Sequence, residues 1–194
     1  MPRDRRAESK GLLMNRLLVC VALSALALSA VAYAHPGSKT LVRFEGAIGA
    51  DPLTGSSGVN ALNVVRGINP GGRAWVLRRL TASISKDGHI SARGAGLLLA
   101  SGDVIGTRAT ITQVGATLAC GPASAAATLF NSAPAALDAA GNFHITATLT
   151  QDGINPAVLP PTCDNPALLI RSVGATGALG AWFAAGIPDL DDDD

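Results

Sequence analysis

Residues 75–100 read WVLRRLTASISKDGHISARGAGLLLA, two apolar-rich alternating runs on either side of Lys86-Asp87-Gly88. Residues directly opposite in an antiparallel pair point to the same face of the sheet, so the turn length decides which residues share a face. A two-residue turn would set Ile84 against Ser91 and mix apolar with polar on both faces. A three-residue loop, Lys86 to Gly88, sets Ile84 against Ile90, Ala82 against Ala92, Leu80 against Gly94 and Val76 against Leu98, which gives one apolar face. It also puts Gly88 at the left-handed position, where a missing Cβ removes the steric penalty. This register turns Arg78 inward against Gly96, where a guanidinium needs an anionic or carbonyl partner, with Glu45 and Asp103 as candidates. The second face carries Arg79, Thr81, Ser83, Ser85, His89, Ser91 and Arg93. At the open end it becomes apolar through Trp75, Leu77, Leu97 and Leu99. Those four are either a candidate interaction patch or a surface covered within the same domain, for instance by Trp182-Phe183.

The rest of the chain reads as further strands. Residues 40–49 alternate, with Val42, Phe44 and Ile48 on one side and Arg43 and Glu45 on the other. Residues 50–63 are a loop by their Gly, Ser, Pro and Asp content, residues 63–66 a short strand, and Asn69-Pro70-Gly71-Gly72 a turn. Residues 110–120 are rich in β-branched side chains, and the odd spacing of Ile111 and Val114 predicts a bulge near Val114-Gly115. For residues 121–136 we expect a loop or one short helical turn, because Ala123 to Ala127 has high helix propensity. Strict alternation over Phe143, Ile145, Ala147 and Leu149 predicts a strand after the Asp138–Asn142 turn. Residues 151–162, with Pro156, Pro160 and Pro161, are a loop. Residues 165–173 form a strand apolar on both faces, and residues 181–187 close the fold. Short strands between Gly, Pro and Asn turns, with no long amphipathic helix, predict an all-β fold: a single antiparallel β-sandwich or small soluble β-barrel domain. An outer-membrane barrel would call for aromatic girdles, whereas beyond residue 34 there are two Trp and no Tyr.

The start of the chain sets the expected compartment. Arg3, Arg5, Arg6, Lys10 and Arg16 precede or open an apolar run from Leu17 to Val31, and Ala32-Tyr33-Ala34 places small residues where a signal peptidase reads them. Residues 1–34 are therefore expected to be a signal peptide, with translation from Met1 or Met14. The apolar run is shorter than the roughly 20 residues of a spanning helix, so no transmembrane anchor is expected after cleavage. The remaining chain divides into an all-β domain over 35–188 and an acidic tail over 189–194. Of fifteen Lys and Arg, ten follow residue 34, against twelve Asp and Glu, five of them in the tail. These cations are scattered along the sequence, unlike the dense basic stripe of a nucleic-acid binder. Cys120 and Cys163 are the two cysteines beyond the signal, and an exported chain favours their pairing as a disulfide.

Residues 163–171, CDNPALLIR, followed by 182–187, WFAAGI, resemble small exported bacterial proteins of unassigned function. That resemblance implies export and supplies no activity. The residues themselves offer little chemistry for catalysis. G-x-S-x-G and H-E-x-x-H are absent from the sequence, and the candidate carboxylates Glu45, Asp87 and Asp103 are explained by strand faces and turns. We therefore expect a noncatalytic exported protein, secreted or periplasmic, with no cofactor, that binds an unknown protein or envelope component or has a structural role. One alternative is copper. After cleavage, the His35 amine and imidazole would chelate Cu(II), with His89 or His144 as a further ligand. Another is a secreted hydrolase with two carboxylates facing one cleft. The tail aspartates suit solvent and weak Ca²⁺ association.

Overall fold

The computed structural model describes residues 39–54 and 61–189. The chain separates into two units, Met1–Gly37 and Ser38–Asp194, and every described residue belongs to the second. The signal segment, His35 and tail residues 190–194 lie outside the described residues.

The described chain is all β, with no helix among the described residues. Its strands are β1 (Thr40–Gly49), β2 (Leu53–Thr54), β3 (Ala61–Leu62), β4 (Trp75–Ser85), β5 (His89–Leu99), β6 (Gln113–Cys120), β7 (Thr128–Asn131), β8 (Ala135–Ala136), β9 (Phe143–Thr148), β10 (Ala167–Val173) and β11 (Leu179–Pro188). Nine of them form one antiparallel sheet in the order β7-β6-β10-β11-β1-β4-β5-β9, with β8 also on β6, while β2 and β3 pair separately. The sheet curls into a half-barrel, and its two ends meet. Asn131 and Thr150 exchange both backbone hydrogen bonds, at 2.7 and 2.9 Å, and Leu137 bridges Phe143. β7 and β8 share the outer edge of β6. Between them the Ser132 N–H donates to Ala116 O while the Ser132 hydroxyl accepts from Ala116 N–H, each at 2.9 Å, so a side chain completes the ladder where the backbone departs.

The hairpin has the expected register, from Ile84 opposite Ile90 to Trp75 opposite Leu99, and Gly88 has φ 85°. On its turn side the core is built in rows: Val42, Ile84, Ile90 and Ala147, then Phe44, Ala82, Ala92 and Ile145. Leu80, Ile84 and Ile90 are fully buried, each contributing about 1.5–3 kcal/mol of transfer free energy. The open end differs from expectation. There Trp75, Leu77, Leu97 and Leu99 are buried, and Val76 and Arg78 are exposed. Irregularities in three neighbouring strands account for this exchange. β1 shifts register between Phe44 and Ala47 around Gly46 (φ 82°), Arg78 and Arg79 of β4 are both exposed, and Gly96 of β5 has φ 74°. Together they move the apolar positions by one residue while one core continues through both halves. Arg78 does sit across from Gly96, with its Cβ 3.1 Å from where a glycine Cβ would be, yet its guanidinium faces solvent and needs no buried partner.

Other departures have equally local causes. Residues 114–120 are all buried, and 114–119 pair with β10 without a break, so the expected bulge at Val114-Gly115 is absent. β6 is covered on both faces, so its alternation carries no information about inside and outside. Its Thr117 hydroxyl donates to Asn131 Oδ1 at 2.7 Å and accepts from Arg171 Nη1 at 3.1 Å, while Arg171 also donates to the Gly180 and Leu179 carbonyls at 2.8 Å each. Burial draws the Arg171 pKa below its ordinary value. Residues 63–66 do not form a strand; the chain makes a tight turn over 65–68, where Val65 pairs with Ile68 around Arg66 (φ 51°) and Gly67 (φ 79°). The Arg66 guanidinium donates to the Pro122 and Asn165 carbonyls, offsetting the left-handed backbone. Residues 121–126 are the expected loop, whereas the rest of the span expected to be irregular carries β7 and β8, which pair with the outer edge of β6.

Two loops are organised by a single aspartate. Asp138 Oδ1 accepts from the Asn142 N–H at 2.8 Å. Asp152 Oδ1 accepts from the Ile154 and Asn155 N–H groups at 2.9 and 2.8 Å, and its Oδ2 from Asn155 Nδ2 at 2.8 Å. These bonds favour the ionised form, lowering the Asp138 pKa and bringing that of Asp152 to about 2 from 3.8. A depressed folded-state pKa contributes stability that is fully present above the ordinary carboxylate range and lost as pH falls toward 2. Carboxyl chemical shifts through an acid titration should show Asp152 titrating at about 2, and Asp152→Asn should remove that inflection.

Candidate functional site

The outward residues of β1, β4, β5 and β9 form cross-strand rows. Glu45, Thr81, Arg93 and His144 make one row, and Arg43, Ser83, Ser91 and Thr146 the next. At about 4.8 Å between strands, each row spans roughly 14 Å. Short hydroxyl side chains in the middle and longer charged ones beside them leave an open trough of about 330 Å³. Its walls are Arg43, Glu45, Arg93 and Asp189, and its floor includes Thr81, Ser83 and Ser91. Asp189 is brought there by its backbone N–H, which donates to Arg43 O at 3.0 Å. Two guanidinium groups, two carboxylates and a hydroxyl floor can make many hydrogen bonds to a polar partner. The trough is open to solvent.

The histidines of the copper alternative do not converge. His89 pairs with Thr148 and His144 with Arg93, four residues further along the same two strands, or about 13 Å. His144 Nε2 and Thr146 Oγ1 share a hydrogen bond at 3.0 Å. His89 and His144 therefore cannot ligate one ion together, and His35 lies outside the described residues. Among the described residues no group of three or more His, Cys, Asp or Glu is placed to hold a metal. Of the candidate carboxylates, Glu45 lies on β1. Asp87 sits in the hairpin turn, accepting from the Ser85 hydroxyl and the His89 N–H, and Asp103 lies in the turn after β5. The trough instead joins Glu45 to Asp189, which the sequence had placed in the tail.

The candidate patch Trp75, Leu77, Leu97 and Leu99 belongs to the core. Trp75 is 5 % exposed and stacks on Phe183 with ring centroids 4.2 Å apart. The Leu97 and Leu99 N–H groups donate to the Gly141 and Thr107 carbonyls. Exposed apolar residues near this end include Ile48 at 63 %, Val76 at 47 % and Ile187 at 43 %, with Val104 and Ile105 in the turn after β5. Sequence reading missed the first three because three strands distant in sequence supply one each; the only signal was the run of glycines at Gly46, Gly49 and Gly186 around them.

Cys120 and Cys163 form the expected disulfide, with Cα atoms 4.9 Å apart. Beside it lies a second cleft of about 520 Å³, lined by Phe130, Leu159, Pro160 and Pro161 with Val158 at its rim. No protein-family model matches the chain, and no match is found among the curated proteins or the solved structures.

Proposed function

We propose that this is an exported, noncatalytic protein of the cell envelope or extracellular space that binds a partner through the outer face of β1, β4, β5 and β9. The observation that carries this reading is the trough, where Arg43, Glu45, Arg93 and Asp189 stand around a floor of hydroxyl groups on a sheet whose other face is core. A rigid sheet holds such groups in place before a partner arrives, which reduces the entropy lost on binding. The disulfide supports export, because oxidising compartments favour such bonds.

The test is fractionation of a bacterial host expressing the full chain, with intact-mass measurement. The expected result is a chain beginning at His35, in the periplasmic or secreted fraction, with Cys120 and Cys163 oxidised. A cytosolic chain that keeps residues 1–34 and two free thiols would overturn the proposal.

A further inference from the structure

We propose that tail residues 190–193 continue β11 as an added strand along the first half of β1, so that the chain covers this sheet edge with its own acidic segment. The proposal concerns the β domain and its tail alone and stands apart from the export reading. β1 begins at Thr40, whereas its pairing with β11 begins at Phe44, opposite Pro188. Between Thr40 and Val42 it pairs with β4 on one side, and among the described residues no strand pairs with it on the other. The Asp189 N–H donates to Arg43 O at 3.0 Å, so the pairing already extends one residue beyond the end of β11. That bond fixes the register, setting Leu190 opposite Val42 and Asp191 level with Leu41. Val42 opens the core row that continues through Ile84 and Ile90; those two are fully buried, and Val42 is only half-buried. Residues opposite each other share a face, so the single apolar residue of the tail is the one set beside Val42 over the core, while Asp191 takes the outward side with Asp189. A slip of one residue would turn Leu190 to solvent and an aspartate toward the core.

The charges agree with this path. Past Leu41, β1 shifts register against β4, and the Lys86 N–H donates to Lys39 O at 2.9 Å, which places two exposed lysines at the end of the strand. Asp192 and Asp193 come to that level, where opposite charges attract. The acid of the neighbouring turn, Asp87, accepts from the Ser85 hydroxyl and the His89 N–H, and Glu45 lies the other way along β1. β10 pairs with β11 no further than Leu168 with Gly186, so the added strand is an outer one, and its charged side chains discourage further pairing with another molecule.

The test is nuclear magnetic resonance on the purified chain with its disulfide formed. Cross-relaxation between the Hα atoms of Val42 and Leu190 is expected, because a pair of this kind brings the Cα atoms to about 4.5 Å. The Asp191 amide, which alternation aims at β1 as it does that of Asp189, should exchange with solvent about tenfold more slowly or more than in a free peptide of the tail sequence. Leu190→Ser should return that amide to the free rate, whereas Leu190→Val should keep most of the protection. Asp192→Lys with Asp193→Lys should speed the exchange by a smaller factor that shrinks as salt is added. Absence of the Val42–Leu190 contact, exchange at the free rate in the unaltered chain, or indifference to Leu190→Ser would overturn the proposal. So would a Val42–Leu190 contact seen only between differently labelled molecules, which would assign the edge to the tail of a second copy.

Discussion

Cys120→Ala with Cys163→Ala is expected to lower the unfolding free energy by about 4 kcal/mol. The bond closes a loop across a sequence separation of 43. On the chain-entropy model, cutting such a loop enlarges the unfolded ensemble while leaving most native contacts in place. The loop contains β7, β8 and β9, the strands through which the two ends of the sheet meet, so its loosening acts at the seam closed by Asn131 with Thr150 and Leu137 with Phe143. For a domain of this size the loss corresponds to a fall in Tm of about 8–16 °C. Guanidinium denaturation with and without a reductant checks it. Reduction should shift the wild-type midpoint toward that of the alanine variant and leave the variant where it was. A wild type indifferent to reductant would mean that the loop is held by its other contacts alone.

Gly49→Ala should cost at least about 3 kcal/mol, for a reason confined to the folded state. An alanine Cβ would stand 1.9 Å from the Trp75 carbonyl oxygen and 2.8 Å from Val76 Cα. These are backbone atoms, so no rotamer change relieves the contact. The chain is pinned there from both sides: Trp75 N–H donates to Ala50 O and Ala50 N–H to Phe183 O, each at 2.8 Å. Gly72→Ala is the matched control, since nothing lies within 4 Å of its Cβ position; a change within about 0.5 kcal/mol is expected. Thermal melts of the two variants should therefore separate clearly, and similar melts would show that β1 can shift away from Trp75.

The two substitutions also mark what could be read from the sequence. The hairpin register and its three-residue loop were legible, because only that register puts Ile84, Ala82 and Leu80 on one face with Ile90, Ala92 and Gly94. So were the all-β class, the doubly buried β10 and the cysteine pair. The exchange of faces at the open end was not. It depends on irregularities at Gly46, Arg78–Arg79 and Gly96 lying at one level of the sheet, and that alignment exists only once β1 is paired with β4. Alternation within one strand extrapolates across such a level with the wrong parity, which is why Val76 and Trp75 exchanged places.

The candidate site divides in the same way. The polar face of the hairpin, including Thr81, Ser83, Ser91 and Arg93, followed from period two alone. The trough needed β1 beside β4 and the chain end beside Arg43, a non-local arrangement. His89 and His144 occupy outward strand positions as expected, but only the β5–β9 register shows that they are four residues apart.

The meeting of the two sheet ends at Asn131 and Thr150 has a mechanical consequence. Most neighbouring strands of the sheet are joined by long ladders, whereas this seam is held by one exchanged pair of hydrogen bonds, one further bridge and the packing beneath them. A curled sheet whose ends meet along one weak line opens there first, as a book opens at an unglued page. Opening there would uncover the edges of β7 and β9 together, and two such opened molecules could pair edge to edge by exchanging the segment between the cysteines. The disulfide ties together the two ends of the segment that crosses this seam, so it restrains the seam from outside as well as adding stability.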